Sequence, residues 1–283
     1  MWRRRDNTPS GTSRGVHTEQ PVLTLRVGSQ LDPGIRRKDR PNEDTLLVSQ
    51  GIMPSASAST WSKPFALLIV ADGMGGQAHG QEASRLAVQS LAAYVSGSLG
   101  SQPSKPEDLL PLLTAGVQYA NQLVYQHNRE QSDEMGTTMT AALVMDTTAY
   151  VAHVGDSRLY LYRHPTGLGQ ITRDHSVVAK LIAAGVIAPE DIYTHPLRNR
   201  IYRSLGEQAS TEVDGDAVPL AADDLLLLCS DGLWEMVRDQ QITAILTTPR
   251  PHPSETAHAL VQAALAGGGE DNVSVIVAQV SNV

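Results

Sequence analysis

Phe65-Ala66-Leu67-Leu68-Ile69-Val70-Ala71-Asp72-Gly73-Met74-Gly75-Gly76 is the stretch on which the reading of this chain turns. Phe65 to Val70 is a continuous apolar run with no polar alternation, the pattern of a strand covered on both faces. It stops at an aspartate followed by glycines, which permit tight backbone geometry. A second run, Asp224 to Cys229, ends the same way, in Ser230-Asp231-Gly232. Asp-Gly is a common turn dipeptide, so either ending alone reads as a turn. Two buried strands ending alike call for another explanation.

Outward from that stretch, the sequence predicts further strands at Val22 to Val27 and Thr45 to Ser49, with a small polar loop from Ser55 to Lys63. Gly80 to Tyr94 and Pro106 to His127 carry helical apolar stripes, and both stripes read as core. Thr138 to Met145, Thr148 to His153 and Arg158 to Arg163 read as an antiparallel meander, two of its strands linked by a turn at Gly155-Asp156-Ser157. Residues 174–204 look helical and loop-rich, best at Ala179 to Ala184, and interrupt the strands like a lid or inserted subdomain. Asp239 to Thr247 and Ser254 to Leu265 are expected helices, and Val273 to Val280 a closing strand. This order lacks the regular alternation of a Rossmann fold. It predicts an α+β sandwich, with antiparallel sheets inside and helices outside.

The chain has 283 residues, 41% of them hydrophobic, enough for a sizeable core; a single Phe leaves that core to Leu, Val, Ile and Ala. One cysteine, Cys229, excludes an internal disulfide and points to a reducing, cytoplasmic setting. Met1 to Arg5 is basic with no apolar run behind it, and no stretch is long enough to span a bilayer. Residues 1–20 read as a disordered basic arm that is solubilising or meets an acidic partner. The formal charge is −8, and the acidic body argues against a nucleic-acid groove.

Two more acidic pairs sit beside expected strands: Glu43-Asp44 and Glu270-Asp271. Buried carboxylates repel one another and are costly to desolvate, so several converging at strand ends make sense with cations between them. With no Cys cluster and no close His pair, oxygen ligands favour Mg²⁺ or Mn²⁺ over zinc.

Seven stretches then stand in a recognisable order: RPNED at 40–44, VADGMGG at 70–76, MGTTMTAALV at 135–144, AHVGDSRLYLYR at 152–163, ITRDHSVV at 171–178, LLLCSDGLWEMV at 226–237 and GEDNVSVIV at 269–277. In them the sequence resembles the type 2C metal-dependent protein phosphatases, the PPM family, in their compact bacterial form. The resemblance implies a four-layer αββα sandwich forming a single phosphatase domain over 21–283, with a flap insert at about 174–210. It implies hydrolysis of phosphoserine and phosphothreonine in proteins, by a water or hydroxide bridging two divalent cations, Mn²⁺ or Mg²⁺. It also implies roles. Asp72 bridges the two ions, and the Gly73 carbonyl completes one. Asp231 and Asp271 hold the other. Glu43 and Asp44 act through metal-bound water. Asp133 joins Asp231 on a weaker third ion. Asp156 supports its turn, and Asn272 orients the Asp271 loop.

On the substrate side the resemblance is looser. The family's phosphate-binding arginine falls at Asp39, flanked by Arg37 and Arg40; Arg40 is the expected choice and Arg37 the alternative. Met74 stands where many members carry a histidine, leaving His79, His153 and His175 as weak candidates for proton donor. Phosphorylated proteins, substrates of an opposing kinase, are the expected partners, and the default state is a monomer. Two competing readings are a catalytically dead phosphopeptide-binding relative and an aspartyl-phosphate hydrolase with Asp72 as nucleophile. The three intact aspartates count against the first. The second lacks the aspartate it needs at position 74.

Overall fold

The structure is a computed structural model and describes residues 23–53, 63–75, 78–101, 105–131 and 134–282. The expected basic arm, the polar loop before Lys63, Gly76 and Asp133 lie outside the described residues.

Strand β3 (Lys63–Met74) explains the architecture. Leu67, Ile69 and Ala71 point one way, into a core shared with helices. Ala66, Leu68 and Val70 point the other way, into a second core. Alternate residues of a strand face opposite sides, so an unbroken apolar run belongs where both sides are covered. Full burial of such side chains stabilises by about 1.5–3 kcal/mol each.

On the helical side of β3 lie α1 (Ala78–Ser101) and α2 (Pro106–Gln131), which supply Leu91, Val95, Leu109, Leu113 and Val117 to the first core. The sheet beneath them runs β2 (Asp44–Met53), β3, β5 (Met139–Met145), β6 (Thr148–Val154) and β9 (Asp214–Pro219), with β4 (Gly136–Thr137) pairing the end of β3. The second sheet runs β1 (Leu23–Asp32), β11 (Val273–Asn282), β10 (Leu225–Cys229), β7 (Arg158–Arg163) and β8 (Gly167–Gln170). Every pairing in both sheets is antiparallel. Leu226, Leu228 and Ile276 meet Leu68 and Val70 in the core between the sheets. On the outer face of the second sheet, Leu227 and Cys229 pack with α4 (Asp231–Trp234), α5 (Asp239–Thr247) and α6 (Pro253–Ala266). The layers are therefore helix, sheet, sheet, helix. Among the described residues no helix is long and apolar enough to cross a membrane.

The expected meander is corrected. β6 and β7 do not pair: β6 lies between β5 and β9, whereas β7 lies between β10 and β8 in the other sheet. Gly155-Asp156-Ser157 is a crossing between sheets, not a hairpin turn. Tertiary pairing made the choice, because β7 finds its ladder on β10, far along the chain. Strands β8 and β9 escaped the sequence reading because GLGQ and DGDAVP carry little strand propensity and lie at sheet edges. The segment after β8 holds α3 (Val177–Ala183) and a 3₁₀ turn at Pro189–Tyr193.

Candidate active site

Both Asp-Gly endings open on one cleft of about 440 Å³, lined by Asp72, Gly73, Asp156, Asp231, Asp271, Glu43, Arg37 and Arg40 among others. Neither ending is a turn. Gly73 continues β3 and pairs with Thr137, and Gly232 lies inside α4. The glycines serve close approach instead. A Cβ at Gly73 would overlap the carbonyl oxygen of Gly80 in α1, and one at Gly232 the carbonyl oxygen of Asn272. Each aspartate is thus seated where two backbone segments touch.

Backbone bonds fix the acidic segments against one another. Gly73 N donates to the Glu43 carbonyl at 3.1 Å, and Ser84 Oγ of α1 donates to the same oxygen at 2.6 Å. Asn272 ties the far segment to the near one. Its Oδ1 accepts from Glu43 N at 2.8 Å, and its Nδ2 donates to the Pro33 carbonyl at 2.9 Å. Asp72 N donates to Thr138 Oγ1 at 2.9 Å, and Thr138 Oγ1 meets Ser157 Oγ at 2.7 Å, joining β3 to the inter-sheet crossing.

The carboxylates are electrostatically crowded. Burial holds Asp72 well above the ordinary carboxylate range, and the charges of Asp44, Asp231, Asp271 and Asp156 add to this. Asp44, Asp231 and Asp271 are raised as well, chiefly by burial, with Glu235 and Asp44 acting on Asp231 and Asp231 acting on Asp271. Glu43 Oε1, Asp44 Oδ1 and Asp231 Oδ1 are buried and find no hydrogen-bond partner among the described residues. Such oxygens are costly unless something electropositive meets them.

Arg37 reaches other oxygens of the cluster, with Nη1 2.9 Å from Glu43 Oε2 and Nη2 2.7 Å from Asp271 Oδ2. Arg40 lines the same cleft. Two guanidinium groups face five carboxyl groups there. Among the described residues no three acidic, histidine or cysteine side chains are already gathered at metal-ligand spacing. Burial, unpartnered oxygens and an all-oxygen donor set fit hard divalent cations.

Sequence reasoning missed several neighbours. Asp156 was assigned to its turn, yet its side chain lines the cleft. Its carboxyl is raised by burial and by Asp231 and Asp174, while its backbone carbonyl accepts from Trp234 Nε1 at 3.0 Å. Asn199 and Ile201 reach the cleft from the segment after the 3₁₀ turn, where no spacing pattern marked them. The candidate histidines lie elsewhere. His153 and His175 are buried, with ring centres 4.9 Å apart. Burial holds both below the ordinary histidine range, His153 down to about 4. His79 is exposed and is not among the residues lining the cleft.

Comparison with known proteins agrees with this geometry. Residues 35–267 match the family described as Protein phosphatase 2C. The chain belongs to the protein phosphatase 2C family. The serine/threonine phosphatase stp of Listeria welshimeri is 38% identical over 215 residues, covering 75% of this chain and 84% of that protein. The serine/threonine protein phosphatase PstP of Mycobacterium tuberculosis is 37% identical over 263 residues, 92% of this chain and 46% of that protein. The crystal structure of the PstP catalytic domain in complex with two manganese ions superposes with a TM-score of 0.75. That pair is 35% identical, covering 92% of this chain and all of the other. As a protein phosphatase 2C of this kind, the chain is a protein-serine/threonine phosphatase. The αββα architecture expected from its motifs is the one observed.

Proposed function

We propose that this chain hydrolyses phosphoserine and phosphothreonine in proteins with two divalent cations, Mn²⁺ or Mg²⁺, held around Asp72, Asp231 and Asp271. One observation carries the reading: part-buried, mutually repelling carboxylates, with oxygens in the cluster that find no partner among the described residues, meet at the ends of two fully covered strands. Bound there, two cations lower the pKa of water and neutralise developing charge on the phosphoryl oxygens.

The chain's own residues do the rest. Asp72, central in the cleft, is the candidate bridging ligand, with the Gly73 carbonyl beside it. Asp231 and Asp271 come from the opposite sheet's side and face it. Glu43 and Asp44 close the inner wall, and the assignment of Asp133 to a weaker third ion stays a proposal from sequence. Phosphate capture falls to Arg37 in preference to Arg40, because Arg37 already reaches the carboxylates and presents a planar fork. Asn199 and Ile201 border the cleft on the side where the residues flanking the phosphoamino acid would lie. The domain spans 21–283, with the flap at about 174–210. A cytoplasmic setting opposite a serine/threonine kinase suits the single buried cysteine.

The test is release of phosphate from p-nitrophenyl phosphate and a phosphopeptide panel, with Mn²⁺ or Mg²⁺ and with EDTA. Metal-dependent turnover, lost in EDTA and in Asp231→Asn, is the expected result. Full activity in EDTA, or a trapped phosphoenzyme on Asp72, would overturn the two-metal reading.

A further inference from the structure

Asp44 sits opposite Asp72 in the β2–β3 ladder, yet its carboxylate is bonded across the sandwich. Its Oδ2 accepts from Ser230 Oγ at 2.7 Å and from Ser274 Oγ at 2.7 Å. Ser230 directly follows β10, and Ser274 is the second residue of β11. The two serines are also bonded to each other. Ser274 N donates to Ser230 Oγ at 2.9 Å, and Ser230 N donates to the Ser274 carbonyl at 3.1 Å. Asp44, Ser230 and Ser274 are buried, the two serines with no exposed surface.

The placement matters because of what adjoins each residue. Ser230 precedes Asp231, and Ser274 follows Asp271 by three residues. Asp72 is the cross-strand neighbour of Asp44. One carboxylate oxygen therefore connects β2, the strand paired with the one that carries Asp72, to both segments that carry Asp231 and Asp271. Both hydroxyl protons converge on Oδ2, which leaves Oδ1 buried with no hydrogen-bond partner among the described residues. A carboxylate held by two charge-assisted bonds on one oxygen has its other oxygen fixed in direction.

We infer that Ser230 and Ser274 are positioning residues for the metal centre: through Asp44 Oδ2 they set the separation of Asp72 from Asp231 and Asp271 and aim Asp44 Oδ1. This rests on the reading of the cleft as a metal site. Groups that orient ligands from outside the coordination sphere commonly govern metal affinity about 10–100-fold. Neither serine needs to touch metal or substrate to do so.

The experiment measures Mn²⁺ binding by isothermal titration calorimetry, and by the electron paramagnetic resonance signal of free Mn²⁺, on the full chain. Wild type is compared with Ser230→Ala, Ser274→Ala and Ser274→Thr, the last retaining a hydroxyl. Metal-free melting temperatures in EDTA are recorded alongside, and binding is measured well below them. The expected result is a Kd weakened at least about tenfold for one or both ions in each alanine variant. Ser274→Thr should bind more tightly than Ser274→Ala. Alanine variants that melt earlier but keep wild-type Mn²⁺ affinity within twofold would overturn the inference, because the serines would then only brace the sheets. A wild type that binds no Mn²⁺ would overturn the metal reading and the inference together.

Discussion

Asp231→Asn separates what this site costs the fold from what it does for catalysis. In the metal-free protein the Asp231 carboxyl is raised by burial and by the charges of Glu235 and Asp44, and its Oδ1 is buried with no hydrogen-bond partner among the described residues. Asparagine is nearly isosteric, removes one charge from the cluster and offers an amide N–H to the neighbouring Asp72. One pKa unit corresponds to ~1.4 kcal/mol, so relieving one member of the cluster stabilises the metal-free fold by about 1–3 kcal/mol. Opposing this is the place of Asp231 in the first turn of α4, where a negative charge is favourable by about 0.3–1 kcal/mol. The net gain, about 0–2.7 kcal/mol, corresponds to a rise of up to roughly 11 °C in Tm at about 2–4 °C per kcal/mol. In excess Mn²⁺ the order reverses. Wild type gains about 2.7 kcal/mol per ion at one hundred times Kd, whereas the variant has lost a ligand. Scanning calorimetry in EDTA and in Mn²⁺ at pH 7.5, beside a phosphatase assay, reads both halves. A variant melting below wild type in EDTA would refute the argument that crowded carboxylates strain the empty site.

Arg37→Ala should raise KM for a phosphopeptide about 10–100-fold, the worth of a lost bidentate charge-assisted contact, and Arg40→Ala should raise it far less; steady-state kinetics on both variants decide between them. Gly73→Ala sets a Cβ against the Gly80 carbonyl oxygen, and backbone facing backbone cannot yield cheaply. It should lose about 1–3 kcal/mol in urea unfolding together with most activity. The contribution of His153 to stability should fall as pH drops from about 6.5 to about 4, because the buried ring is held down to about 4; it runs against the crowded carboxylates, whose raised pKa values favour the fold as pH falls. The unfolded chain takes up that proton at higher pH than the folded one, so stability is present above 6.5 and lost towards 4, by up to about 3 kcal/mol. In urea melts at pH 7, 5.5 and 4.5, the stability of wild type relative to His153→Gln should fall by that amount as the pH drops.

Much of this was legible locally. The unbroken apolar run of β3 states, through strand alternation alone, that both its faces are covered, and the cores on its two sides bear that out. The stripes of α1 and α2 are likewise local patterns. Asp72, Asp231 and Asp271 stand out because each ends or begins a buried strand, and the cleft brings all three together. Where sequence patterns fell short, the deciding contact lay far along the chain. The partner of β7 is β10, not its neighbour β6.

By itself, then, the sequence determined the strands and helices of the core, though not the edge strands β8 and β9, together with which aspartates lie at strand ends and the family to which their order belongs. These follow from periodicity and short-range chemistry. Only the tertiary structure decided that the two Asp-Gly glycines serve close approach rather than turns, that Arg37 reaches the carboxylates, and that Asp44 is bonded to Ser230 and Ser274. Those bonds join residues 186 and 230 positions apart. No local pattern encodes such a contact, because it exists only once two sheets are stacked and their strand registers fixed.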